Sequence, residues 1–326
     1  MMSFEIVMMI IIIILIISIC ANQIKSYGNF HKHKLVSTEE LQIKTGRNHE
    51  NCIIKSICAN QTKSDDSFHK HKLVSTEELQ MKTGRNYENC IIKSEVSEVN
   101  NINTYLKKNP QKIPKIIHQI WIGPKQIPWK WINSFKIQFM SKFPGWKYYL
   151  WTDKEVSTFN FKNRKQYDSE QSYNGKSDIL RYEILYNFGG IYIDADTHWL
   201  GLDLNDLIEQ TNYTGFFAAR ECQTCKESLA SGVVGSSINN PIAKYVIESI
   251  NKHYFTCNQY PAYQTIGPYL IDQVLYNFNI TIFPYYYFYP IYWLSKKSYQ
   301  TSIEKQKQLF PSSYMTQFGY TTNSLG

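Results

Sequence analysis

The sequence predicts an α/β fold with a mostly parallel central sheet, preceded by an N-terminal hydrophobic segment and a low-structure stem. Three observations carry this reading. From Ile113 onward, hydrophobic runs of strand length alternate with helical patterns. Residues 6–19 are an almost unbroken apolar run. Residues 19–56 and 57–94 are nearly the same polar text. The chain has 326 residues, 43% hydrophobic and 15% aromatic, which excludes a wholly disordered protein and is ample for a core. With 15 Gly, 11 Pro and 7 Cys it is neither collagen-like nor a disulfide scaffold.

The net charge of +8 splits evenly, +4 in residues 1–112 and +4 in the remainder, and only 5 of 35 basic residues are Arg. Nucleic-acid readers concentrate basic charge and use Arg for bidentate contacts, so no nucleic-acid partner is expected.

The apolar run is short for a membrane span and suits a signal-peptide core, with small residues around Cys20-Ala21. Residues 1–21 are read as a signal peptide or signal anchor. Lys25 after the run favours a cytoplasmic C-terminal side. The sequons at Asn60, Asn212 and Asn279 favour the lumen. The expected location is the secretory pathway: ER or Golgi lumen, or membrane if the segment is an anchor.

Residues 22–112 are read as a stem. Its 38-residue repeat is identical at 32 positions, too few units for a solenoid. Each copy carries a capping box, Ser37-x-x-Glu40 and Ser75-x-x-Glu78, and a short helical stretch closed by Gly46 or Gly84. His31, His33, His69 and His71 lack the carboxylates or thiolates that would complete metal sites. Cys52 and Cys90 are candidates for pairing or crosslinking.

The domain at 113–326 opens with a strand candidate at Lys115–Ile122. A helix follows over Pro128–Phe143, stopped by Pro144-Gly145, then a strand over Trp146–Trp151. Ser177 is the expected N-cap of a helix reaching Asn187, which turns on Gly189-Gly190 into the strand Ile191–Ile193. Further helices are expected after Pro241 and Pro268.

The most informative text is Ser177–His198, SDILRYEILYNFGGIYIDADTH. Asp178 and Arg181 share a helix face. Asp194 and Asp196 sit where the strand ends, the position at which open α/β sheets bind ligands. Two carboxylates there form a hard-oxygen site for Mg²⁺ or Mn²⁺, which keeps waters and bridges to a substrate diphosphate. An isolated Asp-x-Asp is common. Its place after a buried strand, a glycine pair and a helix bearing Asp178 and Arg181 makes this one specific.

That pattern, with Ile113–Trp121 and GWKYYLWTD at 145–153, resembles the DXD sugar-binding glycosyltransferases of family 32, which include Och1-like mannosyltransferases and capsular polysaccharide transferases. The resemblance implies a GT-A fold, a nucleotide-sugar donor carrying UDP or GDP, a divalent cation and retention of anomeric configuration. The acceptor would be a glycan, glycolipid or glycoprotein. The resemblance assigns Asp196 to the metal, and Asp194 to the ribose or the metal's water shell. It assigns Asp178 and Arg181 to the donor sugar, with Arg181 also facing the diphosphate. His118, Gln119 and Trp121 would line the nucleotide pocket. Strand alternation puts Gln119 and Trp121 on one face and His118 on the other, so a core histidine is the competing reading of His118.

Some positions depart from the family. Gln317 stands where a metal-binding His is expected, Ser324-Leu325 where Ser-Trp is expected, and the Asn expected near Ala230-Ser231-Gly232 is replaced. A catalytically silent sugar-nucleotide-binding or structural protein is therefore the alternative. A haloacid-dehalogenase-like phosphatase would use Asp194 and Asp196 but needs further late acidic ligands and leaves Asp178 and Arg181 unexplained. Cys222, Cys225, His253 and Cys257 are zinc-type ligands, although a disulfide among the cysteines suits a secreted chain better. The aromatic run 284–293 reads as core and strand rather than as a sugar platform.

Overall fold

Five of the six strands in the central sheet run in one direction, and the sixth runs against them beside the carboxylate strand. The computed structural model describes residues 95–223, 228–258, 260–292 and 300–319. All lie within the second of two units of the chain, Leu73–Gly326. The hydrophobic segment, the tandem repeat with its histidines and capping boxes, Cys225 and Ser324-Leu325 fall outside the described residues.

In chain order the strands are β1 (Ile116–Ile120), β2 (Lys147–Trp151), β3 (Gly190–Ile193), β4 (Thr197–Trp199), β5 (Phe216–Arg220), β6 (Leu229–Ser236), β7 (Thr281–Phe283) and β8 (Met315–Gln317). The six-stranded sheet has the order β2-β1-β3-β6-β5-β7. The β1–β2, β1–β3 and β5–β7 pairs are parallel, and β6 is antiparallel to both β3 and β5. The fold is thus α/β with a mostly parallel sheet. β4 and β8 form a separate antiparallel pair that ties Thr197 to Gln317.

Four helices pack on one face of the sheet: α1 (Val96–Lys108), α2 (Tyr173–Phe188), α3 (Pro241–Cys257) and α4 (Pro268–Leu275). One apolar cluster joins α1 to α4 with Ile120, Tyr192, Phe216 and Val234 of the sheet. A second, on the alternate residues Ile117, Ile191, Ile193, Phe217 and Val233, packs against Phe135, Phe139, Trp199, Phe288 and Tyr314. This alternation is the two-residue side-chain period of strands, each face covered by its own layer.

Three boundaries differ from the sequence expectation. The folded body begins before residue 113: α1 lies in the expected stem, yet Val99 and Leu106 are fully buried. Its polar composition conceals a Val99–Ile102–Leu106 stripe at helical spacing. The N-cap of α2 is Ser172, whose hydroxyl accepts from Gly175 N at 3.1 Å, so Ser177 is interior. Asp178 therefore gains nothing from the first turn of the helix dipole, and its partner is a side chain instead. The helical stretch 129–142 contains a π segment, Ser134–Phe139, where Ser134 Oγ accepts from Trp199 N. The aromatic run supplies a short 3₁₀ turn, Tyr285–Tyr287, and the buried side chains Phe288 and Tyr289.

Gly189 and Gly190 have φ of +61° and +104°. A Cβ on Gly190 would lie 2.5 Å from the carbonyl oxygen of Ile116 on the neighbouring strand. Both the backbone twist and the approach of β1 require glycine there. Gly190→Ala is expected to lower folding stability by about 2 kcal/mol or more, read as a lower urea midpoint with unchanged slope; an unchanged midpoint would refute this account of the turn.

Candidate functional site

The site is assembled from α2, the end of β3, the first half of β6 and the distant strand β8. Arg181 is its centre. Its guanidinium pairs with Asp178 Oδ1 at 2.8 Å, stands 3.7 Å from Asp194 Oδ1, and donates to the carbonyl of Ser231. It also lies 4.5 Å from the centroid of the Tyr192 ring. Charge pairing, hydrogen bonding and cation–π contact together make a buried guanidinium tolerable. Burial pushes the Asp178 carboxyl up, to about 7, against the opposing pull of Arg181.

Asp194 is held from several sides. Tyr192 Oη donates to Oδ1 at 2.7 Å, and Gln317 Nε2 donates to Oδ2 at 2.6 Å. Its backbone N–H bonds Gly232 O at 2.8 Å, and its carbonyl accepts from Gln119 Nε2 at 3.2 Å. A methyl on Gly232 would stand 2.8 Å from Asp194 Oδ2, 3.1 Å from Tyr289 Oη and 3.2 Å from Gln317 Nε2. Three polar groups thus converge over a position that glycine leaves open. Asp196 is half-buried on the turn after β3, and its carbonyl accepts from Phe318 N at 3.1 Å.

The four residues of the sequence pattern divide by exposure. The side chains of Arg181 and Asp178 are 5% and 10% exposed, whereas that of Asp194 is 24% exposed. The outward groups are the two aspartates of the strand end, and Arg181 of the helix pair stands behind Asp194.

Gln119 is fully buried, and its amide is clamped between Tyr148 Oη (2.8 Å) and the Asp194 carbonyl. Trp121, half-buried just beyond β1, donates from its ring to Lys125 O at 2.9 Å. His118 lies on the other face, with no exposed surface, among the rings of Tyr149, Trp151 and Phe188. Its Nε2 donates to Gly189 O at 2.9 Å, and Nδ1 accepts from Trp151 Nε1 at 3.1 Å. Its ring nitrogens are both engaged, which is the core reading of the two left open by strand alternation. Sequence reasoning missed Tyr148, Ser231 as a backbone acceptor, and Tyr289. The first lies on an adjacent parallel strand at a position of no special spacing, and the other two depend on the unforeseen antiparallel strand.

Cys222 and Cys257 are both disulfide-bonded, which removes their thiolates from zinc binding. Among the described residues no group of three or more His, Cys, Asp or Glu is arranged to hold a metal, and no helix is long and apolar enough to cross a membrane.

Residues 128–214 match the family model described as the glycosyltransferase sugar-binding region containing the DXD motif. That region is similar to the sugar-binding region of the DXD glycosyltransferases. It includes Asp178, Arg181, Asp194 and Asp196, and the strand pair β4–β8 brings Gln317 to it from outside. The chain is 30% identical over 176 residues to inositol phosphoceramide mannosyltransferase 3 of Schizosaccharomyces pombe, covering 53% of this chain and 46% of that protein. It is 32% identical over 191 residues to a mannosyl phosphorylinositol ceramide synthase of Saccharomyces cerevisiae, covering 55% and 47%. The chain thus spans about half the length of these curated relatives. The solved PaToxG glycosyltransferase aligns with a TM-score of 0.39 at 21% identity, over 56% of this chain and 76% of that one.

The engaged state of His118 sets a pH dependence. Burial lowers its pKa from the ordinary 6.5 to about 4, with the Gly189 carbonyl opposing. The unfolded chain therefore binds the extra proton first on acidification, and this stability is present above pH 6.5 and lost as pH falls toward 4. The full contribution is about 3 kcal/mol. His198 is lowered in the same direction by burial, and Asp178 contributes with opposite sign, so the readout is the difference between proteins. His118→Phe is expected to show a flatter loss of stability between pH 6.5 and 4 than the parent chain, measured by urea unfolding across that range; parallel curves would contradict a buried neutral imidazole.

Proposed function

We propose that the chain is a metal-dependent glycosyltransferase of GT-A type, moving a hexose from a nucleotide-sugar donor to a lipid-linked acceptor. The single observation that carries this reading is the braced Asp194–Asp196 strand end inside a DXD sugar-binding region. The printed names of the relatives add mannose as the first candidate sugar and an inositol phosphoceramide as the first candidate acceptor. A glycan or glycoprotein acceptor is the broader class, UDP or GDP the candidate nucleotide, retention the expected stereochemistry, and the secretory pathway the expected location.

The donor set suits Mn²⁺ or Mg²⁺ of the kind that completes its coordination with water and phosphate, because such ions need one or two carboxylates rather than an all-protein cage. Asp196 would hold the ion, and Asp194, already engaged at both oxygens, would reach its water shell or the ribose. When bound, the cation neutralises charge growing on the departing diphosphate. The chain's own residues position and polarise. Arg181 adds a fixed positive charge beside Asp194, Asp178 keeps that guanidinium in place, and Tyr192 and Gln317 hold the carboxylate plane. Such preorganisation stabilises charge separation without reorganisation during the reaction.

A silent nucleotide-sugar-binding protein is the second reading, favoured by one contact: the Gln317 amide donates to Asp194 where an imidazole would be the better metal ligand. The two separate on a panel of UDP- and GDP-sugars with Mn²⁺, Mg²⁺ or chelator. The expected result is release of nucleoside diphosphate from one donor, abolished by chelator and reduced on the order of a hundredfold in Asp196→Asn. Chelator-sensitive nucleotide binding without release would establish the silent protein, and unchanged turnover in Asp196→Asn would sink the metal assignment.

A further inference from the structure

Between Val99 and Thr152 the chain carries nine lysines and neither an arginine nor a carboxylate. That run alone exceeds the net charge of the whole protein, and its evenness over long stretches conceals it. All nine lysines are exposed, and among the described residues none of them pairs with a carboxylate. The centre of the run is the helical stretch 129–142, which buries Trp131, Ile132, Phe135 and Phe139 on its inner side. Its outer side presents Trp129 (46% exposed) and Ile137 (56% exposed) with Lys130 and Lys136, whereas Lys142 reaches Gly201 O and the Trp199 ring. Lys136 Nζ lies 5.1 Å from the Trp129 ring centroid, so cation and indole share one surface.

We propose that this face docks on an anionic lipid surface. Lysines beside exposed Trp and Ile, with no acid in that stretch of sequence, are the pattern of an interfacial helix, in which the apolar groups enter the headgroup layer and the ammonium groups meet anionic lipid. The absence of Arg disfavours a nucleic acid, whose bases and phosphates are read by guanidinium forks. The placement also suits the site. Trp131, on the inner side of the same stretch, packs 5.2 Å from Phe318, whose N–H bonds the Asp196 carbonyl. A bilayer against the outer side would therefore lie close to the carboxylate strand end. The docking surface stands independently of any activity, and only its purpose, delivery of a lipid-linked acceptor, rests on the function proposed above.

The test is co-sedimentation of the full chain with vesicles of phosphatidylcholine alone, or with about one third phosphatidylserine. Every variant retains the N-terminal hydrophobic segment, so its contribution cancels. Binding is expected to be at least about tenfold stronger to the anionic vesicles and to fall as salt is raised. Lys125→Gln with Lys130→Gln and Lys136→Gln is expected to remove that preference. Trp129→Ser with Ile137→Ser is expected to weaken binding while keeping the salt dependence. Circular dichroism and the urea midpoint report that the variants are folded. Equal binding to both vesicles or an unchanged preference in the lysine variant would overturn the proposal. Failure of the donor panel would leave the vesicle result intact, so the two readings fail separately.

Discussion

A guanidinium with almost no access to water sits where a helix, two strands and an aromatic ring meet. Arg181 reaches Asp178 on its own helix, Asp194 just past β3, Ser231 on β6 and the face of Tyr192. A buried cation is costly unless every surrounding group answers it, and here each neighbouring element contributes an acceptor or a π face. That requirement ties the register of α2 to the register of the sheet. A shift of one residue in β3 would turn Tyr192 and Asp194 to the opposite face and leave the charge unanswered. The geometry of the strand end is thus a by-product of solving an electrostatic problem in the interior.

Much of this arrangement was legible in the sequence. The glycine pair, the strand Ile191–Ile193 and the two aspartates follow from local rules. So does the pairing of Asp178 with Arg181, because three residues on a helix suffice to bring them together. The cap was misplaced because Ser172 and Ser177 are chemically equivalent signals, and only the helix contacts distinguish them. The reversed strand β6 escaped notice for another reason. Its residues, LASGVVGS, carry no polar alternation because both faces are buried, and direction leaves no mark on such a strand. Helix α1 was hidden by asparagine and lysine, which decorate its exposed side and outweigh two buried anchors in any average of composition.

Gln317 reaches the site by strand pairing: β8 lies against β4, so its last residue meets Asp194. The amide supplies donors where an imidazole would supply a lone pair.

The Gln317–Asp194 contact also has a consequence for how the protein is made. Its two ends are 123 residues apart in the chain. On the ribosome, the helix pair and the aspartate strand emerge long before the strand that completes them. Through that interval Asp194 can have at most its tyrosine and arginine and not its amide, and the turn bearing Asp196 lacks the backbone donor of Phe318. The sheet can form while its carboxylate edge is still open. Synthesis order therefore makes the last short strand a latch that sets the carboxylates only after the rest of the domain is in place.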